Sequence, residues 1–153
     1  MQMLRPFRIL VVDDDEDDRF LIGDALMECD IHDESVIFVE DGEEAMDFLT
    51  QGHGLLGEEH IDRACLPSLV LLDWNMPKMN GREVLEALMT STVLKTLPVV
   101  VLTTSSQKKD VLQAYELGSR SFITKPTSFD GLVDVMRRVK DYWQGTVTLP
   151  ELH

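Results

Sequence analysis

Three aspartates, a threonine and a lysine stand directly after short apolar runs of the sequence. Asp13 and Asp14 follow the first run, and Asp73, Thr103 and Lys125 each follow a later one. Carboxylate oxygens bind hard divalent cations, and an ammonium group can neutralise phosphate. A carboxylate in such surroundings can also attack phosphorus as a nucleophile. These residue types indicate phosphoryl transfer to an aspartate, provided that the fold brings them together.

The apolar runs and the patterns between them predict an α/β fold. The runs that we interpret as strands are Ile9–Val12, Val36–Val39, Leu69–Leu72, Val99–Leu102 and Ser121–Thr124. The first four are continuous, which is typical of strands that are buried on both faces. Five helical patterns alternate with them. We therefore predict a flavodoxin-like, doubly wound, five-stranded parallel sheet with strand order 2-1-3-4-5 and five helices.

This fold would gather the polar residues at one edge of the sheet. In open α/β sheets, ligands bind beyond the carboxyl ends of the strands. Three carboxylates at close range cannot all stay ionised without compensation, and oxygen ligands beside phosphate favour Mg²⁺. The sequence thus predicts a magnesium site where Asp73 is the nucleophile. Lys125 and the metal would stabilise the phosphoryl charge, and Thr103 would donate a hydrogen bond to its oxygens.

Length and composition indicate one domain. The chain has 153 residues, of which 44% are hydrophobic, and this suits a single core. We place the core at about residues 7–143, with residues 144–153 as a tail and no output domain. Acidic residues outnumber basic ones 28 to 14, and the net charge is −14. We therefore expect no contact with nucleic acid or with an anionic membrane, because both are bound through Lys and Arg.

Several further features suggest a cytoplasmic protein. Cys29 and Cys65 form no disulfide pattern. No apolar stretch reaches the ~20 residues of a membrane span, and Ile9–Val12 is too short for a signal peptide.

The acidic run from Asp13 to Asp18 has more than one interpretation. We interpret Asp15 to Asp18 as a solvated helix start, since acidic residues are favoured in a first turn. A calcium loop does not fit, because Asp18 stands where glycine is needed and Asp24 replaces the bidentate glutamate. A flavodoxin-type electron carrier shares the size and strand order, but this acidic loop would repel the flavin phosphate.

The segment Thr50–Pro67 is predicted to be a long polar loop. It contains residues that could bind zinc, but their spacing fits no standard zinc pattern, which favours a solvated loop. These residues are His53, Glu58, Glu59, His60 and Cys65.

From Arg8 to about Tyr142 the chain resembles the CheY-like receiver domains of two-component response regulators. The matching pieces, in order, are Ile9–Asp14, Leu71–Pro77, Asn80–Gly81, Val101–Thr104 and Lys125–Pro126. A pseudo-receiver that acts only as a scaffold is a further alternative, but it would be expected to lack part of the pocket. Here the whole pocket is present.

The resemblance implies roles for individual residues. Asp73 would receive a phosphoryl group from the phosphohistidine of a kinase, in a reaction that needs Mg²⁺ or alternatively Mn²⁺. Asp14, Asp73 and the backbone carbonyl of Asn75 would bind the metal, with Asp13 acting through water. The chain would transfer phosphate only to and from itself, so we do not expect an enzyme.

The resemblance also implies a switch. Thr103 and Phe122 match the residue pair that rearranges on phosphorylation, and Lys125 matches the phosphate-contacting lysine, with a cis Lys125–Pro126 bond. Side chains two positions after the acceptor and after Thr103, here Asn75 and Ser105, would influence the lifetime of the phosphorylated state.

A narrower resemblance gives expectations for the output surface and for the sensor kinase. The long loop, the stretch from Tyr115 to Gly118 and the pair Tyr142–Trp143 resemble single-domain regulators of bacterial and cyanobacterial phytochrome histidine kinases. We expect such a kinase as partner. We also expect a homodimer through the face of the fourth helix, fifth strand and fifth helix, which would carry Val111, Tyr115, Tyr142 and Trp143.

Overall fold

The computed structural model describes residues 6–150, and these contain a five-stranded parallel sheet. The strands are β1 (Ile9–Val12), β2 (Val36–Val39), β3 (Leu69–Leu72), β4 (Val99–Thr103) and β5 (Ser121–Thr124). Their order is β2-β1-β3-β4-β5, which confirms the predicted fold and strand order. β4 is one residue longer than predicted, so Thr103 is its last residue rather than the residue that follows it.

Five α-helices cover the two faces of the sheet. They are α1 (Glu16–Glu28), α2 (Gly42–Thr50), α3 (Gly81–Thr90), α4 (Lys108–Glu116) and α5 (Phe129–Trp143). Residues of α1 and α5 pack on one face, and residues of α2, α3 and α4 pack on the other. None of the helices within residues 6–150 has the length and the apolar content needed to cross a bilayer.

Side-chain caps fix where most of the helices begin. In each case the residue just before the helix accepts, through a side-chain oxygen, a hydrogen bond from the backbone N–H of the third helical residue. Such a cap stabilises the folded protein by about 1 kcal/mol. In α3 the cap is reciprocal, because Glu83 also accepts from the backbone N–H of Asn80. The capping residues are Asp15 for α1, Asp41 for α2, Asn80 for α3 and Ser128 for α5.

The prediction that β2 is buried on both faces is wrong. β2 lies at the edge of the sheet, and only Val39 among its residues is fully buried. Phe38 is 37% exposed and lies over α1, where a Cβ on Gly23 would be 3.1 Å from its ring. An edge strand has a neighbour on one side only, and the helices cover it incompletely.

The segment predicted as a long loop is folded into two 3₁₀ helices, Leu55–His60 and Arg63–Cys65. The side-chain amide of Gln51 donates to the carbonyl oxygen of Asp62 and accepts from its N–H, both at 2.8 Å. Within residues 6–150, the histidine, cysteine and acidic side chains of this segment form no three-residue metal cluster. The zinc alternative therefore has no geometric support.

Glu58 ties the same segment to the end of α3. Its carboxylate accepts hydrogen bonds from the hydroxyls of Ser91 at 2.5 Å and Thr92 at 2.8 Å. These bonds favour the ionised form, and they lower the pKa of Glu58. A residue that the sequence offered as a zinc ligand thus has a structural role.

Candidate functional site

The two central strands place a pair of aspartates side by side. Val12 of β1 is in register with Leu72 of β3, so the next residues, Asp13 and Asp73, are neighbours. The N–H of Asp73 donates to the carbonyl oxygen of Val12 at 2.9 Å. With Asp14, they form a cluster in which one carboxylate oxygen from each residue lies within 4.8 Å of the others. The predicted carboxylate site is therefore present.

The three carboxylates differ in burial. Asp13 is 1% exposed and Asp73 is 8% exposed, whereas Asp14 is exposed to solvent. Burial raises the pKa of Asp13, and the hydrogen bonds from Lys125 and from the N–H of Asp15 offset that effect only partly. A cation bound beside Asp13 would favour its ionised form.

The two oxygens of Asp73 have different surroundings. Oδ1 accepts a hydrogen bond from the backbone N–H of Trp74 at 2.7 Å. Oδ2 lies 3.7 Å from Lys125 Nζ, which is longer than a hydrogen bond. One oxygen is thus held in place, while the other faces the lysine across a gap.

Close packing against α3 keeps the Asp73 backbone in place. A Cβ on Gly81 would lie 2.5 Å from the carbonyl oxygen of Asp73 and 2.9 Å from the Cα of Trp74. The N–H of Gly81 donates to the carbonyl oxygen of Trp74 at 3.0 Å. Only glycine permits this approach, which explains the Asn80–Gly81 pair at the start of α3.

Lys125 is the cation of the site. Its side chain is 9% exposed, and Nζ donates to Asp13 Oδ2 at 2.6 Å and to Asp18 Oδ2 at 2.8 Å. Burial lowers the pKa of Lys125, but the two hydrogen bonds and the nearby charge of Asp73 outweigh burial and raise it. The lysine therefore remains protonated across the physiological pH range.

The expected cis bond after this lysine is absent. No peptide bond within the described residues is cis, so the Lys125–Pro126 bond is trans. The trans form of an X–Pro bond is favoured by ~0.5–1 kcal/mol. Lys125 is nonetheless held at the end of β5, because its N–H donates to the carbonyl oxygen of Thr103 at 2.7 Å.

The donor set of the site fits a hard divalent cation. The cluster of Asp13, Asp14 and Asp73 offers only oxygen, as Mg²⁺ and Mn²⁺ prefer. Lys125 Nζ lies near the carboxylates of Asp13, Asp18 and Asp73, and Asp14 adds a further carboxylate to the cluster. The carboxylates therefore outnumber this ammonium, and a bound cation would offset their negative charge. Asn75 lies nearby, at the rim of an open cleft that Thr104, Ser105 and Asp110 also line.

The residues expected to form the switch lie on one face of the sheet. Val101 is in register with Phe122, and Thr103 with Thr124, so the Thr103 and Phe122 side chains point to the same face. Thr103 is completely buried, and its Oγ1 accepts from the N–H of Ser105 at 3.4 Å.

Phe122 links the sheet to its surroundings in two ways. Its ring packs edge-to-face against Trp74, with centroids 6.5 Å apart. Its N–H donates to the hydroxyl of Tyr115, on α4, at 3.2 Å. Trp74 is 5% exposed and belongs to the hydrophobic core.

Two residues near the site were not predicted. Asp18, interpreted as part of a solvated helix start, binds Lys125, and Arg19 Nη1 donates to the carbonyl oxygen of Asp13 at 2.8 Å. The Asp18–Lys125 bond joins positions 107 residues apart, and no local pattern signals it. Asp15 does cap α1, as its place in the acidic run suggested.

Comparison with known proteins agrees with this geometry. Residues 9–137 match the family described as "Response regulator receiver domain". The chain is 38% identical over 145 residues to response regulator Rcp1 of Synechocystis sp., an alignment that covers 95% of this chain and 94% of that protein.

Solved structures give the same result. The phosphorylated cyanobacterial phytochrome response regulator RcpA superimposes with a TM-score of 0.80 at 35% identity, covering 95% of this chain and 99% of that one. The Mn²⁺-bound form of Rcp1 superimposes with a TM-score of 0.78 at 37% identity, covering 95% and 100%. The resemblance seen in the sequence is confirmed: this chain belongs to the response regulator receiver domain family of two-component signalling.

Proposed function

We propose that this chain is a stand-alone response regulator that accepts a phosphoryl group on Asp73 from the phosphohistidine of a histidine kinase. The observation that carries the proposal is the placement of Asp73, which belongs to an acidic cluster and whose Oδ2 lies 3.7 Å from the buried ammonium of Lys125. The proposal is supported by the likeness to RcpA, whose structure is of a phosphorylated protein.

The chain's own residues supply position and charge. An oxygen of Asp73 attacks phosphorus, a P–O bond forms, and the P–N bond to the donor histidine breaks. Lys125 neutralises charge on the equatorial oxygens, and the Thr103 hydroxyl donates to one of them once the group is in place. The acceptor is an atom of the chain itself, so this is transfer to its own side chain, together with the later loss of that group, rather than turnover of a separate substrate.

We propose Mg²⁺ as the cofactor, with Mn²⁺ as an alternative. Asp14 and Asp73 would be its direct ligands with the backbone carbonyl of Asn75, and Asp13 would act through water. When bound, the ion would neutralise the carboxylates and the transferred phosphoryl group. The oxygen-only cluster supports this assignment, as does the Mn²⁺-bound structure of Rcp1.

We propose that the chain is one receiver domain, with its core at about residues 7–143, and that it acts in the cytoplasm. The expected tail extends partly outside the described residues, because residues 151–153 are not among them. The partner would be a phytochrome-type sensor kinase, which the likeness to RcpA supports.

For output, we propose that Thr103 and Phe122 change position together and alter the face of α4, β5 and α5. This proposal is supported by two contacts of Phe122, with Trp74 beside the acceptor and with Tyr115 on α4. A groove on this face is lined by Ile123, Val135 and Trp143, with Arg120 and Arg138 at its sides. The altered face would bind a second copy of the chain.

The acceptor is tested by the change Asp73→Asn. The amide keeps the shape of the side chain and removes the nucleophile, so acetyl phosphate with Mg²⁺ should add one phosphoryl mass to the parent and none to the variant. Intact mass spectrometry measures both. Asp17→Asn is the control, because it removes an exposed carboxylate outside the cluster. Full labelling of the Asp73 variant would show that another residue is the acceptor.

A further inference from the structure

The ammonium of Lys125 has three N–H donors, and two of them form hydrogen bonds with carboxylates. One points to Asp13 Oδ2 at 2.6 Å and one to Asp18 Oδ2 at 2.8 Å. Asp73 Oδ2, at 3.7 Å, is the third carboxylate oxygen near Nζ. Lys125 is therefore bonded to two aspartates and stands off from the third, which is the proposed nucleophile.

Asp18 is well placed to hold the lysine in this position. It lies in the first turn of α1, and its N–H donates to Asp15 Oδ1 at 3.1 Å, which fixes its backbone. Its side chain is 34% exposed, compared with 9% for Lys125, so it approaches from the solvent side. Asp13, 2% exposed in its side chain, approaches from within the protein.

Asp18 is not part of the cluster of Asp13, Asp14 and Asp73 whose oxygens lie together. It contacts the reacting centre only through the lysine. A charge-assisted hydrogen bond is roughly twice as strong as a neutral one, so two such bonds give the ammonium a defined position.

We propose that Asp18 is a positioning residue: with Asp13 it holds Lys125 off Asp73 Oδ2, so that the acceptor oxygen stays free while the ammonium remains beside the place where phosphoryl charge develops. The proposal rests on the proposed function, because it concerns transfer to Asp73. Without Asp18, the lysine would form its missing bond with the next carboxylate oxygen, Asp73 Oδ2. That bond would occupy the nucleophile and compete with a metal ion for the same carboxylate.

The first test is the rate of phosphorylation of Asp18→Asn by acetyl phosphate at saturating Mg²⁺. The amide has the size of the carboxylate but is a weaker acceptor, so the maximal rate should fall by about tenfold, as expected for a weakened hydrogen bond to a charged group. Asp17→Asn is the matched control. It removes the same charge one position earlier, and among the described residues Lys125 pairs with Asp13, Asp18 and Asp73 but not with Asp17.

The second test is a readout that a general loss of folding would not produce. A Trp143→Phe background leaves Trp74, beside the acceptor, as the one tryptophan of the sequence. Mg²⁺ titration followed by its fluorescence should show weaker binding in Asp18→Asn than in Asp17→Asn, because the displaced ammonium competes for Asp73. In a Lys125→Met background, Asp18→Asn should change the rate and the Mg²⁺ affinity by less than about twofold, since the lysine is the link.

The outcomes separate the two proposals. A parent chain that takes up no phosphoryl group contradicts the proposed function itself, and the Mg²⁺ titration then still decides whether Asp18 controls the lysine. If the parent is labelled but Asp18→Asn behaves like Asp17→Asn, or reacts faster than the parent, the positioning role is wrong. An undiminished effect of Asp18→Asn in the Lys125→Met background would also overturn it.

Discussion

At the scale of single residues, neighbouring aspartates have different surroundings. Asp13 is 1% exposed and binds Lys125, whereas Asp14, the next residue, is exposed to solvent. Successive side chains of an extended chain point to opposite sides, so Asp13 and Asp14, which follow β1, point in different directions. Asp13 therefore holds the ammonium of Lys125 in place, and Asp14 is the member of the pair that is accessible to an incoming metal ion.

This difference gives a prediction for Asp14→Ala. Mg²⁺ should stabilise the folded parent, because it relieves carboxylate repulsion that the unfolded chain lacks. At tenfold above its dissociation constant the gain is about 1.4 kcal/mol. The variant should lose this gain, which thermal unfolding with and without Mg²⁺ would measure. Asp17→Ala should keep it. An equal response of the Asp14 variant and the parent would place the metal elsewhere.

Most of the site could be predicted from single residues, and the part that could not has a clear cause. Parallel strands end at one edge of the sheet, and five site residues lie at or just after the end of a strand: Asp13, Asp14, Asp73, Thr103 and Lys125. The contact of Asp18 with Lys125 instead depends on how α1 lies over the loop after β5. Acidic residues are common in the solvated first turn of a helix, so the aspartate at position 18 did not by itself indicate a contact with Lys125.

At the scale of elements, the sequence predicted the strands within one residue because apolar runs alternate with helical patterns. The exposure of Phe38 on β2 was missed, although the predicted strand order already placed β2 at an edge. A continuous apolar run indicates a strand but does not show how completely the helices cover it. The ties made by Gln51 and Glu58 were also beyond prediction, because each joins a side chain to a distant segment.

A prediction at this scale concerns the end of α1. The helix has no basic residue in its last turn, and Lys140 from α5 donates to the carbonyl oxygen of Cys29 at 2.6 Å. A partly buried cation at a helix C-terminus stabilises by about 1–2 kcal/mol. Lys140→Met should lower the free energy of unfolding by about that amount, as measured by urea denaturation.

The control for this measurement is Arg137→Met, on the same helix. The side chain of Arg137 is 51% exposed, and its ion pair with Asp134 is 4.0 Å long. Such surface pairs contribute about 0–1 kcal/mol. A loss in the Lys140 variant no larger than in the Arg137 variant would mean that the contact with α1 contributes nothing.

At the scale of the whole molecule, the fold is shared with flavodoxin-like electron carriers, and the loop after β1 distinguishes the two classes. That loop carries Asp13 to Asp18, and the cluster at its start would repel a flavin phosphate. The same acidity dominates the chain, whose net charge is −14. Two copies therefore repel each other at long range, and any pairing needs a local patch that offsets the repulsion.

The face of α4, β5 and α5 has the residues for such a patch. Arg120 and Arg138 line its groove, and the exposed acidic residues Glu116 and Asp134 lie on its helices. In a two-fold arrangement each patch meets its own copy, so opposite charges can pair twice. The exposed ring of Tyr142, which packs edge-to-face on Trp143, adds apolar area.

We therefore predict a homodimer that phosphorylation tightens. Sedimentation velocity at tens of micromolar should show a larger fraction of dimer when beryllofluoride and Mg²⁺, which imitate the phosphoryl group, are added to the parent. Asp73→Asn, which should not bind beryllofluoride, should show no shift. Arg138→Glu should weaken the dimer by reversing one charge of the groove. A monomer under all conditions would contradict the dimer and leave a separate protein as the recipient of the signal.

The hydroxyl oxygen of Tyr115 accepts a hydrogen bond from the N–H of Phe122, a backbone donor on the edge strand β5. Unpaired edge donors invite strands from other chains, and the tyrosine closes this one with a side chain that belongs to α4. The amide proton of Phe122 can exchange with solvent only when the phenol moves away. Its exchange rate in heavy water therefore records how often the Tyr115 side chain leaves the edge of β5, so this contact between α4 and the sheet can be followed at a single hydrogen atom.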